Sequence, residues 1–277
     1  MHDSEVRPST WWAQPGLGHM PALVDDGRVM WWEMVLLFVA GIGGGLIGSI
    51  AGLASLSTYP ALLLIGLPPV SANVTNTVSL VFNGIGSVAG SLPELAGQRD
   101  RLLRLMPMAV LGGAAGAWLL LSIPAEGFEN AVPVLLMVAS VAIALPRGKG
   151  PVAEPTRARS AAQAVAVALI CIYGGFFGAA AGVLLLALFL RTGAESLAEA
   201  NAIKNVVLGV ANAVAAVGFV IFAPVYWPAV GAMGVGCLIG ARLGPVVVRR
   251  APATPLRLGI AIAGIALAVK LGYDTYR

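Results

Sequence analysis

Ile42-Gly43-Gly44-Gly45-Leu46-Ile47-Gly48-Ser49 and Ile172-Tyr173-Gly174-Gly175-Phe176-Phe177-Gly178-Ala179 are two copies of one hydrophobic glycine motif, matched at a constant offset. Each copy interrupts a long apolar stretch. Each is followed by an apolar segment that opens with Ala-Asn: Ala72-Asn73 after the first and Ala200-Asn201 after the second. Matched glycine-interrupted segments in two halves of one chain are the signature of a transporter with its site at the repeat interface.

Composition sets the class. Of the 277 residues 58% are hydrophobic and 11% charged, and the mean hydropathy is +0.87. A soluble domain carries about twice that charge fraction. Apolar runs of roughly 20 residues recur along the chain, as in a polytopic helical membrane protein. The ~10-residue alternating segments of a membrane β-barrel are absent from the sequence. The net charge of +4 sits mostly in short loops and reads as membrane orientation, not as nucleic-acid binding. Cys171 and Cys237 fall inside apolar spans and read as small packed hydrophobes. His2 and His19 lie in the N-terminal arm, and no metal-ligand spacing is found, so neither a metal nor a cofactor is expected.

The reading is an all-α transmembrane bundle of about eight spans: 30–57, 71–92, 102–122, 130–145, 161–190, 199–222, 226–248 and 255–272. Residues 1–29 form a polar arm without the basic start and apolar core of a cleaved signal. Residues 30–145 are the first four-span repeat, 146–160 a linker rich in Pro, Gly and Arg, and 161–277 the second repeat. The duplication places Asn76 opposite Lys204 and Thr77 opposite Asn205. In the third span of each half, Gly112 and Gly116-Ala117 match Gly236 and Gly240-Ala241. A thirty-residue helix would reach about 45 Å, against a hydrocarbon core of ~30 Å. The first and fifth spans are therefore expected to bend or break at their glycines. The run Tyr59 to Pro69 is apolar but too short to cross. Loop arginines put the loop after span two and the linker in the cytoplasm, while Arg249, Arg250 and Arg257 conflict with three simple crossings from there, so the orientation of the second half stays open.

Several elements together resemble the sulfite exporter TauE/SafE-like permeases. They are Gly41-Ile42-Gly43-Gly44-Gly45, Pro68-Pro69-Val70-Ser71-Ala72-Asn73-Val74-Thr75-Asn76-Thr77, Tyr173-Gly174-Gly175-Phe176-Phe177-Gly178, Ala200-Asn201-Ala202-Ile203-Lys204-Asn205 and Gly240-Ala241-Arg242-Leu243-Gly244. The resemblance runs from about Met30 to Gly272. The N-terminal arm departs from it, as does Gly52-Leu53-Ala54-Ser55, where a more glycine-rich stretch is expected. It implies transport of small sulfur-containing or organic anions across a bacterial inner membrane, often outward, without naming the cargo.

Polar groups within a bilayer are costly and usually serve a purpose. The candidate substrate-binding set is Asn73, Thr75, Asn76 and Thr77 in span two with Asn201, Lys204 and Asn205 in span six. Asn and Thr supply neutral donors and Lys204 a positive charge, a set able to replace an anion's hydration. The competing reading of Asn and Thr is glue between helices, and that of Lys204, ~7 Å into its span, is snorkelling to the surface. Gly43, Gly44, Gly45, Gly174 and Gly175 are candidate helix-break residues, where freed amides favour an anion. Gly112, Gly116, Gly236 and Gly240 read as packing glycines. Arg242 is a candidate gate, or else snorkels toward Arg249 and Arg250. The carboxylates fall at span ends or in loops, so the basic excess within spans points to a small anionic substrate in a lipid bilayer. Self-association is left open. The rivals are a passive anion channel, a structural membrane protein, and an intramembrane enzyme with Ser79 and Lys204 as a Ser-Lys pair.

Overall fold

The computed structural model describes residues 31–124, 127, 128, 134, 137, 157–191, 196–248, 262, 265, 269 and 273. The described residues are helical, with no strand among them. In chain order the helices are α1 (Trp31–Ala51), α2 (Ser55–Leu64), α3 (Pro69–Gly90), the single turn α4 (Leu92–Leu95), α5 (Arg99–Ser122), α6 (Arg157–Phe176), α7 (Ala181–Arg191), α8 (Leu197–Phe222) and α9 (Trp227–Val248). Four of them, α1, α5, α8 and α9, are long and apolar enough to cross a membrane. At 22 residues α3 has the length, but its Asn, Thr and Ser side chains lower its hydropathy. The N-terminal arm, most of the linker, and the expected spans 130–145 and 255–272, isolated residues apart, lie outside the described residues.

The first and fifth expected spans are each two helices, and the break points correct the sequence reading. Gly43, Gly44 and Gly45 lie inside the unbroken α1, which runs on to Ala51. The chain leaves the helix at Gly52, whose φ of +78° only glycine adopts without strain. In the second half Gly174 and Gly175 also lie within a helix, α6, which ends at Phe176. Gly178 follows at φ +77°, with its N–H donating to Tyr173 O at 3.0 Å, the closing bond of a helix C-terminus. The short α2 and α7 start directly after these breaks.

The motif glycines serve close approach instead. Gly41 and Gly45 lie on the backbone of Met233 and Cys237 in α9, while Gly236 and Gly240 face Phe38 and Ile42 in α1. The same arrangement joins α5 to α6. Gly112 and Gly116 lie against Ala168, Cys171 and Ile172, and Gly175 against Gly113. Backbones this close leave no room for a Cβ, which fits the packing reading of Gly112, Gly116, Gly236 and Gly240. We expect Gly240→Leu to force a side chain onto the Ile42 carbonyl and lower the yield of monodisperse protein from membranes severalfold. Gly231→Leu, in the same helix with open space around it, should leave that yield unchanged.

Around these seams sit two apolar clusters. One holds Leu37, Leu53, Tyr59, Leu62 and Phe219, with Tyr59 edge-on to Phe177 at 5.6 Å. The other holds Leu105, Val167, Leu185, Phe189 and Val207. Large apolar side chains such as Trp31, Leu111, Trp118, Val217 and Trp227 point outward, as a lipid-facing surface requires.

Candidate functional site

The N-termini of α3 and α8 bring the polar residues inward. Pro68 and Pro69 start α3, with Pro69 preset for a first helical turn. Ser196 caps α8, its Oγ accepting from Glu199 N–H at 3.1 Å. The Ser-x-x-Glu spacing is that of a capping box, a signal present in the sequence but not read there. Glu199 Oε1 also accepts from Gln98 Nε2 at 2.9 Å and pairs with Arg101 at 3.3 Å, while Arg101 lies over the Phe189 ring. This cluster ties the start of α5 to α7 and α8.

Lys204 does not snorkel. Its side chain is 0% exposed, and Nζ donates to Gly48 O at 3.1 Å and Ser49 O at 3.2 Å. Both carbonyls belong to the last turn of α1, the negative end of the helix dipole. A buried ammonium is tolerable there because hydrogen bonds and the dipole offset its desolvation.

Asn73 makes the reciprocal contact. Its Nδ2 donates to Phe176 O, the last carbonyl of α6, at 2.8 Å. So α8 holds the end of α1, and α3 holds the end of α6. Between them the two breaks touch: Gly52 and Gly182, the latter in the first turn of α7, meet backbone to backbone.

The remaining candidates are buried and mostly engaged. Asn76 accepts from Thr58 Oγ1 at 2.5 Å and donates to Ser55 Oγ at 3.1 Å, which pins α2 to α3. Thr75 Oγ1 accepts from Tyr226 N–H at 3.0 Å, and Thr77 Oγ1 donates to Asn73 O at 3.0 Å within its own helix. Asn205 Nδ2 reaches Ser91 Oγ at 3.4 Å. Asn73 Oδ1, Asn83 Oδ1 and Asn201 Oδ1 are buried without a hydrogen-bond partner. Of the break residues, Gly43 and Gly44 face Ser57 and Thr58 on α2, and Gly174 faces Leu208 on α8. Arg242, in α9, is exposed. Sequence reading missed Ser55 and Thr58, whose only signal is that three hydroxyl residues, Ser55, Ser57 and Thr58, follow the break. Among the described residues no group of His, Cys, Asp or Glu could hold a metal ion.

Apolar helices packed around a buried polar layer at two helix breaks define a multi-pass membrane transporter. The chain belongs to the sulfite exporter TauE/SafE family, whose sequence profile matches residues 37–271. Its relatives include the probable membrane transporter protein ORF9 of a Sinorhizobium species, 29% identical over 246 residues, 87% of this chain and 93% of that protein. The probable membrane transporter protein YfcA of Escherichia coli K12 is 28% identical over 244 residues, 87% of this chain and 90% of that protein. A probable membrane transporter protein of Haemophilus influenzae Rd is 25% identical over 242 residues, 87% of this chain and 95% of that protein. No solved structure matches the chain.

Proposed function

We propose that the protein is a permease of the bacterial inner membrane that moves a small anion, sulfite or an organosulfonate or organic acid, by alternating access between two homologous halves. It converts nothing chemically. The observation that carries the reading is the fully buried Lys204 at the end of α1. A buried cation beside a helix break is a ready counter-charge for an anion stripped of water. The carboxylates of the described helices lie in first turns, at Glu33, Glu94, Asp100 and Glu199.

The repeat reading is supported by equivalent contacts. Gly116 meets Ile172 and Phe176 as Gly240 meets Ile42 and Leu46, and Gly112 meets Ala168 and Cys171 as Gly236 meets Phe38 and Gly41. These partners correspond under the offset of the glycine motif. Each half thus lends its first helix to the other: α1 packs on α9, and α6 on α5. The pseudo-two-fold axis passes between Gly52 and Gly182. The anion binds beside this contact, near the N-termini of α2 and α7, with Lys204, Asn73 and Asn201 as its neighbours. Asn76, Thr75, Thr77 and Asn205 hold the frame around it.

Purified protein in liposomes tests this with sulfite, sulfoacetate, sulfate and simple carboxylates. We expect saturable flux of at least one of them, driven against its own gradient by a second ion. Flux only down the gradient indicates a channel, and no flux above empty liposomes refutes anion transport.

A further inference from the structure

Three features meet at the paired breaks: helix ends, a buried ammonium, and carboxamide oxygens with nothing to accept from. The last feature is unexpected for an anion site, because a bare oxyanion brings only acceptors. Asn73 is 0% exposed and Asn201 1%, and the Oδ1 of each lacks a partner. The orientation of the Asn73 carboxamide is fixed by the bond from Nδ2 to Phe176 O at 2.8 Å; turned over, two oxygens would face each other. Asn201 lies three residues before Lys204 in α8, on the same helix face. The two asparagines also correspond in the Ala72-Asn73 and Ala200-Asn201 repeats. The same unmet acceptor therefore occurs at two equivalent positions of the repeat. Buried acceptors left unmet carry a desolvation cost, so a ligand that supplies donors recovers part of it.

A metal cation could also satisfy these oxygens. It would add charge beside Lys204, with the carboxylates of the described helices confined to first turns. An anion that carries its own O–H meets both demands. Its charged oxygens face Lys204 and the N-terminal amides of α2 and α7, and its hydroxyl donates to an asparagine.

We infer that the paired breaks select hydroxyl-bearing anions, either monoprotonated oxyacid anions or hydroxy-substituted organic anions, with Asn73 and Asn201 accepting from the hydroxyl. This deepens the anion-transport reading and rests on it.

The test uses the full chain in liposomes and two matched comparisons. One sets 2-hydroxyethanesulfonate against ethanesulfonate, two monoanions that differ by a hydroxyl. The other sets hydrogen sulfite against methanesulfinate, two monoanions in which an acid O–H stands where the other has a methyl group. The hydroxyl-bearing member should move at least about tenfold faster in one comparison, the value of one buried hydrogen bond. Which comparison responds tells a substituent hydroxyl from an acid proton. Asn201→Leu should bring that ratio to within about threefold; if this variant does not assemble, the wild-type ratio alone decides. Equal rates within both pairs overturn the inference and leave anion transport standing. A requirement for sodium that Asn201→Leu abolishes also overturns it, because the oxygens then hold a cation. No flux of any of the four anions, nor of sulfite, sulfoacetate, sulfate and simple carboxylates, overturns the transport reading itself.

Discussion

Lys204→Ala should lower anion flux by about two orders of magnitude at matched protein levels in liposomes. Removing one partner of a buried charge interaction costs on the order of 3–5 kcal/mol, and on the proposed reading the lost partner is the counter-charge of the substrate. The same change leaves Gly48 O and Ser49 O, in the last turn of α1, without their ammonium donor. Gly48 O keeps the Gly52 N–H at 2.7 Å, so the helix end is weakened and not abolished. The variant should therefore insert and fold, with an unfolding midpoint lowered by several degrees. Lys204→Arg should restore only part of the flux. A guanidinium is larger and planar, and cannot reproduce the compact ammonium that donates to both carbonyls from a fully buried position. Flux near wild type in Lys204→Ala would make Lys204 a helix cap and nothing more.

Gly52→Val should give the largest loss of folded protein. Two independent costs combine there. A positive φ of +78° strains any β-branched residue by roughly 1–2 kcal/mol. The added side chain would also meet the backbone of Gly182 and Val183, which cannot yield without parting the two breaks. Gly97 separates these costs. Its φ is +80°, but a Cβ there meets nothing within 4 Å. Gly97→Ala should therefore cost only about 1 kcal/mol and leave expression and flux intact. Detergent-extracted yield and thermal unfolding of the two variants side by side check the contrast. Equal losses in both would mean that backbone strain alone matters and that the Gly52–Gly182 contact is incidental.

The helical class and most helix positions were legible because they depend on local composition. The expected spans 71–92, 102–122, 199–222 and 226–248 match α3, α5, α8 and α9 to within a few residues. The breaks were legible in kind but not in place. Glycine serves two ends here, and a sequence does not label which. Gly41, Gly45 and Gly175 give way to a neighbouring backbone, while Gly52 and Gly178 supply the left-handed turn. The densest glycine cluster was the natural choice for a break, yet helical hydrogen bonding survives there because the surrounding bundle fixes the backbone.

The polar layer was legible as a set of residues and not as a set of contacts. The competing readings of Lys204, snorkelling or buried, turn on carbonyls more than 150 positions away in the chain. No pattern local to Ala200-Asn201-Ala202-Ile203-Lys204 contains them. Asn76 reads like a ligand by type, but both ends of its carboxamide are taken up by Ser55 and Thr58 on α2. Asn73 has one end bound and one end unmet, a distinction only the assembled helices make.

The central claim is that the anion binds at the paired breaks beside Lys204. Ligand-induced stabilisation tests it directly, because a ligand at 100 times its Kd adds about 2.7 kcal/mol to the folded state. The measurement is thermal unfolding of purified wild type and Lys204→Ala, each with and without a saturating transported anion. Wild type should show a clear upward shift of the midpoint and the variant none. An equal shift in both proteins would contradict the claim, because the anion would then bind without Lys204.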